Sequence, residues 1–297
     1  MSAAARNLGA SVSAVSQQLS NLEQALGAEL VERNVRPFAL TPAGELFRAR
    51  AQAILNEAAE ARAELAIGNL TRLGRVNLGM IEDFDADVTP RLLAGLGEEL
   101  RRTRFLLETG ASHRLFDLLE SRTLDVIVAA DLGAATDWTE VHPLLEEPFV
   151  AAVPKGAVPE GADALAVLKA LPLVRYTTRH LMGRQVAAHL MRQNLRFEHR
   201  FELDSYHAIM AMVAAGEGWS ILTPLGFMRA GRFRDHADVL PLPFAPLSRT
   251  ISLTARRDVL LDLPERMAGR LRPLLQDLIV APCRARMPWL GDSLRVL

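Results

Sequence analysis

Ser2-Ala-Ala-Ala-Arg-Asn-Leu-Gly-Ala-Ser11-Val-Ser13-Ala-Val-Ser16-Gln-Gln-Leu-Ser-Asn-Leu-Glu-Gln-Ala-Leu26, running on to Leu30-Val-Glu-Arg33, is the stretch whose reading decides the fold. An Ala-rich helical segment ends at Leu8, Gly9 makes a sharp turn, and Ser11 is suited to cap the next helix. Val12, Val15, Leu19, Leu22 and Leu26 then recur at the spacing of one helix face. The other face carries Ser13, Ser16, Gln17, Ser20 and Asn21, short neutral groups able to reach base edges and phosphates from a major groove. The pattern reads as the second half of a helix-turn-helix. It equally describes an amphipathic helix with a solvated Ser/Gln face. Charge does not separate the two readings: over residues 1–72 the arginines and glutamates balance, where a nucleic-acid module usually shows a basic footprint.

A longer pattern adds weight to the first reading. The run Ala4-Ala5-x-x-Leu8-x-x-Ser11-x-Ser13-Ala14-Val15-Ser16-x-Gln18-Leu19-x-x-Leu22-Glu23-x-x-Leu26-Gly27-x-x-Leu30-Val31-Glu32-Arg33, followed by Leu40-Thr41-Pro42-Ala43-Gly44, resembles the winged helix-turn-helix of LysR-type transcriptional regulators. The resemblance extends to about residue 280. It implies binding to double-stranded DNA as a dimer of dimers, a coiled linker helix, and a two-lobed effector domain of the type 2 periplasmic-binding-protein fold. It places Ser11, Val12, Ser13, Ser16, Gln17, Gln18, Arg33 and Arg36 at the DNA face, and RNA polymerase among the partners. Two departures stand out. The family has about 20 further residues before this point, holding its first helix; a late start codon, a truncation or weak DNA binding each accounts for that. The family also often has Gln after the cap serine, suited to bidentate contact with adenine, where this chain has Val12.

Composition narrows the class. A chain of 297 residues, 49% hydrophobic, is long enough for two or three folded units with sizeable cores. The formal charge of −1 argues against general polyanion coating. Cys283 is the only cysteine, so no intramolecular disulfide and no cysteine-based metal site is expected, and its place in a Pro-Cys-Arg tail reads as a bystander thiol. Nothing resembles a signal peptide, and no run reaches the ~20 apolar residues of a membrane span. The expectation is a cytoplasmic protein without cofactor, metal or membrane contact.

Residues 27–41 read as the wing. Thr41 is a natural N-cap, with Pro42 at the first helical position and Glu45 at capping-box spacing. The helix that follows runs to about Leu70, roughly 40 Å long at 1.5 Å per residue. Leu46, Ala49, Ala53, Leu55, Ala59, Ala63 and Ile67 form a small-residue seam that suits pairing of two such helices or packing on the helix's own domain. Beyond the linker at Gly68–Gly74, strands and helices alternate: strand 75–81, helix 89–102, strand 105–108, helix 115–120, strand 125–130. That order argues a parallel sheet covered by helices. Phe149–Val153 reads as a crossover. A second unit repeats the grammar through helix 162–169, strand 173–176, helix 183–194, strand 200–203, helix 206–214 and strand 219–223. Leu240-Pro-Leu-Pro and strand 251–255 mark the return, and helix 263–279 closes the fold. The expected class is α/β. Residues 1–70 form a winged helix-turn-helix lacking its first helix, plus a linker helix. Residues 74–297 form an effector-binding domain, with lobe I at 75–147 and 252–280 and lobe II at 148–251.

Ligands of open α/β sheets bind beyond the C-terminal strand ends, near helix N-termini, and a cleft between lobes is the default site. Here those ends supply Ile81, Glu82 and Asp83; Ser112 and His113; Asp131; Tyr176 and Thr178; Asp204 and Ser205; and Thr223. Ser112, Thr178 and Ser205 read equally as plain N-caps, and Asp83 as a cap for the helix after it. His113 and His207 could read pH or join a polar ligand, but lone histidines near loops are more often solvated. A Glu82-Asp83 pair there would repel a carboxylate, which favours a neutral or cationic effector or a cleft partly filled by the protein itself. In Met212-Val-Ala-Ala-Gly216-x-Gly218-Trp219, similar to a family strand-loop, Gly216 reads as a helix C-cap and Gly218 as a point of close backbone approach.

No catalytic set emerges: there is no Gly-rich phosphate loop, no nucleophile elbow and no histidine pair at metal spacing. The leading expectation is a bacterial one-component regulator, a DNA-binding homodimer or homotetramer controlled by a small molecule. The alternative is a cytoplasmic small-molecule-binding protein whose N-terminal helices serve only oligomerisation. An enzyme on the same lobed fold is a third reading that lacks a catalytic constellation.

Overall fold

The computed structural model describes residues 5, 9–32, 39–64, 74–131, 133, 136–257 and 259–297. The chain divides into two compact units, residues 1–62 with 121–123, and residues 63–120 with 124–297.

In the first unit, helix α1 spans Val12–Leu26. Ser11 is extended, and its Oγ accepts the Ala14 N–H at 3.1 Å, satisfying one of the amide donors a helix start leaves open. Strands β1 (Val31–Glu32) and β2 (Ala39–Leu40) pair antiparallel, Val31 opposite Leu40. Glu23, buried on α1, fixes the approach to this wing: its Oε1 accepts the N–H of Leu30 at 2.8 Å and of Val31 at 3.3 Å. Helix α2 spans Pro42–Glu64. Thr41 caps it, its Oγ1 accepting the Gly44 N–H at 3.0 Å. Glu45 does not complete a capping box; it pairs with Arg48 at 3.0 Å. A Cβ on Gly44 would lie 2.0 Å from the Leu30 carbonyl oxygen, so only glycine lets α2 approach the wing this closely. Leu46, Ile54 and Leu55 stand exposed on α2. Leu46 and Leu55 are nine residues apart, half a turn out of phase at 3.6 residues per turn, so the single seam expected from the sequence does not hold both. The expected extension of α2 to residue 70 and the arginines Arg33 and Arg36 lie outside the described residues.

Along the second unit come β3 (Arg75–Ile81), α3 (Val88–Glu99), β4 (Arg104–Gly110), α4 (Ser112–Glu120), β5 (Val126–Ala130), β6 (Thr139–Pro148) and β7 (Val150–Pro154). Then follow α5 (Ala164–Ala170), β8 (Val174–Tyr176), α6 (Leu181–Arg192), β9 (Phe201–Leu203), α7 (Tyr206–Ala214), β10 (Ser220–Leu222) and α8 (Pro224–Arg229). The chain closes through β11 (Ala237–Pro241), β12 (Ser248–Arg256), α9 (Leu263–Leu275), α10 (Ala281–Arg286) and β13 (Arg295–Val296). A six-stranded sheet in the order β13-β6-β12-β5-β3-β4 forms the first lobe, with β3 parallel to β4 and β5. The second lobe is built on β10-β7-β11 and the parallel pair β8-β9. Strands β6 and β12 run antiparallel beside each other and carry the chain between lobes. Every residue of β5 is buried, as a central strand covered on both faces requires. Gly218 sits at φ +150°, where a Cβ would lie 2.1 Å from the Pro172 carbonyl oxygen; the close approach expected there is present.

Strand β6 was absent from the sequence expectation. Its segment Thr-Glu-Val-His-Pro-Leu-Leu-Glu-Glu-Pro has no clean alternation and holds Pro143, which argues against a strand. The sheet accommodates the proline at a bulge, where the register jumps from Ile251 opposite Leu145 to Ser252 opposite Pro143. The closing helix also differs. It widens to a π turn over Gln276–Val280 before α10, at the point where Pro282 has no N–H to close the next turn. The tail then returns to pair β13 with β6.

Candidate functional site

On α1, Ser11, Val12, Ser13, Gln17 and Gln18 are exposed and Ser16 is half-buried. Three of these polar side chains, on Ser11, Ser13 and Gln17, have local partners. Ser11 Oγ lies 2.9 Å from Ser13 Oγ, and the Gln17 amide nitrogen donates to Asn21 Oδ1 at 3.0 Å. Val12 is 47% exposed.

Between the two lobes lies a cavity of about 80 Å³. The strand-end rule finds its first wall: Ile81, Glu82 and Asp83 after β3, and Ser112 and His113 after β4. Tyr176 at the end of β8 and Asp204 after β9 face it from the second lobe. Four expected contacts are not in the lining. Thr178 turns to Glu202, its N–H donating to Glu202 Oε1 at 3.1 Å. Asp131 stays with the sheet, its amide donating to the Thr250 carbonyl at 2.9 Å. Ser205 holds the N-cap position of α7 without a side-chain bond to it. Thr223 is fully buried and caps α8, accepting the Gly226 N–H at 3.3 Å. Ser112 is no helix cap either: its Oγ accepts the Ala130 N–H at 3.1 Å, tying α4 to the end of β5.

Gly110 and Ala111, at the same strand end, also line the cavity, and sequence reasoning missed Ala130, His180, Leu181, Met182, Gln185, Tyr206 and Arg249, which complete the lining. His180 to Met182 follow from the helix-N-terminus rule once α6 is started at Leu181 in place of Gly183. Arg249 carries no local signal, because its role depends on a partner 102 residues away.

That partner is Glu147, opposite Arg249 in the β6–β12 register. Arg249 Nε donates to Glu147 Oε2 at 2.8 Å, and Nη2 donates to Asp83 Oδ2 at 2.7 Å. Glu147 Oε1 accepts the Leu225 N–H at 2.8 Å, at the start of α8. All three charged side chains are at most 7% exposed. Burial works against the Arg249 charge, but Glu147, Tyr206 and Asp83 outweigh it and hold its pKa well above the ordinary value. The crossover strands thus grip the first lobe through Asp83 and the second through Leu225. Asp83 is therefore not a helix cap; the N-cap position of α3 is Asp87. Asp83 Oδ1 and Arg229 Nη1 are both buried without a hydrogen bond and stand 4.0 Å apart.

Rings cross the cavity from one lobe to the other. His113 and His180 have centroids 5.2 Å apart, Tyr176 lies 5.8 Å from His180, and Tyr206 lies 5.5 Å from Tyr176. Burial, then His180 and Arg184, lower the pKa of His113, so its ring is neutral near pH 7; its Nδ1 is buried without a hydrogen-bond partner. Burial, then the negative charges of Asp83 and Glu82, push the Tyr176 hydroxyl up to about 12. Cys283 is buried and outside the lining, and burial followed by the charge of Glu147 pushes its thiol to about 12. Among the described residues no helix is long and apolar enough to cross a membrane.

Residues 71–289 match the family model described as LysR substrate binding domain, and residues 1–45 that described as Bacterial regulatory helix-turn-helix protein, lysR family. The chain is 37% identical over 154 residues to a probable hydrogen peroxide-inducible genes activator of Mycobacterium xenopi, covering 52% of this chain and 80% of that one. It is 26% identical over 244 residues to the DNA-binding transcriptional dual regulator OxyR of Escherichia coli, covering 82% and 79%. Full-length OxyR of Pseudomonas aeruginosa with a cysteine-to-aspartate substitution superposes with a TM-score of 0.64 at 25% identity, covering 91% of this chain and 89% of that one.

Proposed function

The chain belongs to the LysR family of bacterial DNA-binding transcription regulators, and on that premise we propose that a small effector held between its two lobes sets how it grips DNA. One observation carries the reading: a single cavity takes its lining from both lobes and reaches, through Asp83 and Arg249, the strands that join them. A ligand that favours one lobe arrangement shifts the population toward it, by as much as its affinity differs between the two. The exposed face of α1 supplies the contacts to double-stranded DNA. Exposed Leu46 and Ile54 on α2 support self-association through the linker helix, with RNA polymerase a further partner at the promoter.

The relatives named for peroxide induction raise the question of thiol chemistry. This chain has one cysteine, so it forms no internal disulfide, and that cysteine is buried away from the cleft. Reversible binding, and not oxidation of a thiol, is the input the residues support.

An electrophoretic mobility shift with DNA from upstream of the protein's own gene tests the reading. The expected result is a shift that weakens with added salt as phosphate contacts are screened, and weakens further when Ser16 and Gln17 are replaced by Ala. A chain that shifts no DNA, with or without further residues ahead of Met1, would leave the oligomerising binding protein as the better account.

A further inference from the structure

We infer that the interlobe cleft selects a small organic cation, an alkylammonium in class, over a carboxylate of the same size. The inference rests on the cleft being the effector site, and concerns what that site accepts. Three carboxylates line the cavity: Glu82, Asp83 and Asp204. The one guanidinium in the lining, Arg249, is already bonded to Glu147 and Asp83. The N-termini of α4 and α6 also face the cavity, at roughly half a positive charge each, and Arg229 stands 4.0 Å from Asp83; against the three carboxylates this leaves an excess of about one negative charge. Asp83 is 5% exposed at its side chain, and its Oδ1 accepts no hydrogen bond among the described residues. Arg229 Nη1, likewise without a hydrogen bond, stands opposite that oxygen, so the uncompensated acidity of the cleft lies on Glu82 and Asp204. The rings of Tyr176, Tyr206, His113 and His180 complete the enclosure, and tyrosine faces attract a cation within about 6 Å of the ring centroid.

The sequence had pointed to a neutral or cationic ligand, or a partly filled cleft, on a different ground, the Glu82-Asp83 pair. The structure removes half of that ground by pairing Asp83 with Arg249 and Arg229, and supplies another in the rings and Asp204.

The test uses three probes of one hydrocarbon shape: tert-butylammonium, tert-butanol and trimethylacetate. Each is titrated into the full chain at fixed ionic strength, with binding read by calorimetry. The cation is expected to bind at least about tenfold more tightly than trimethylacetate, the size of preference one net charge produces at this range. Glu82→Gln and Asp204→Asn, both exposed, should each weaken the cation by about threefold to fivefold and leave tert-butanol unchanged. Tyr176→Leu should weaken tetramethylammonium, which has no N–H, by about the same factor. Equal or tighter binding of trimethylacetate, binding of none of the probes, or cation affinity indifferent to all three substitutions overturns the inference. A mobility shift on the same preparation separates the two claims. DNA binding with an anion-selective cleft leaves the regulator standing and removes only the ligand class.

Discussion

Arg249 shows how much one buried side chain decides. It joins strand β12 to Glu147 on β6 and to Asp83 at the cleft wall, in a region almost closed to water. A buried ion pair is weak evidence for stability, but breaking it strands the partner's charge at a cost of about 3–5 kcal/mol. Arg249→Met should therefore lower the unfolding free energy by that much, read as a lower denaturant midpoint at unchanged m-value. Adding Glu147→Met should recover only part of the loss, since Asp83 still lacks Arg249 and the Leu225 N–H loses its acceptor. Destabilisation that grows in the double variant would show the pair to be net stabilising in itself. His113 gives a pH signature. Burial, then His180 and Arg184, lower its pKa in the folded chain, while Asp117 opposes them. In the window from the folded value up to about 6.5 the unfolded chain binds the extra proton, so stability rises with pH there and falls on acidification. Unfolding midpoints across pH 5 to 7 should show that slope, and His113→Asn should flatten it.

Elements were legible where their own period carried them. Helix α7 was read from Tyr206 to Ala214 and stands there in the structure; α9 begins at Leu263 as its pattern implied. Strand β6 failed because its stability comes from neighbours: β12 on one side and β13, a tail segment with no pattern of its own, on the other. The cleft was legible in the same proportion. The ends of β3 and β4 could be located by counting, so Glu82, Asp83, Ser112 and His113 were found. Thr178 and Asp131 were misplaced because a side chain beside a strand end can turn to a neighbour as readily as to the cavity. Gly218 lies at the junction that seats Trp219, at a φ that L residues rarely adopt. Gly218→Ala forces a Cβ against a backbone oxygen, and a loss of about 1–3 kcal/mol is expected from overpacking, with backbone strain in addition. Thermal unfolding checks it; an unchanged midpoint would mean that Pro172 moves aside freely.

For the whole molecule, the sharpest contrast is with the relatives named for peroxide. A thiol at about 12, 2% exposed, holds almost no thiolate at neutral pH. Peroxide treatment of the folded protein should leave Cys283 unmodified by intact mass, and Cys283→Ala should leave the mobility shift unchanged. Oxidation at neutral pH, with an altered shift, would restore thiol chemistry to the mechanism.

The sequence by itself determined the family, the order of domains and most of the alternating elements. Those follow from spacing along the chain: a capped helix, a wing, then strands and helices whose apolar residues recur with their own period. The tertiary structure alone decided what the cleft is made of. The Glu147–Arg249–Asp83 network joins residues 64 and 102 positions apart. Charges that look free in a linear reading become bound or orphaned only when β6, β12 and the end of β3 meet, because the low dielectric of that junction makes each partner, or its absence, count.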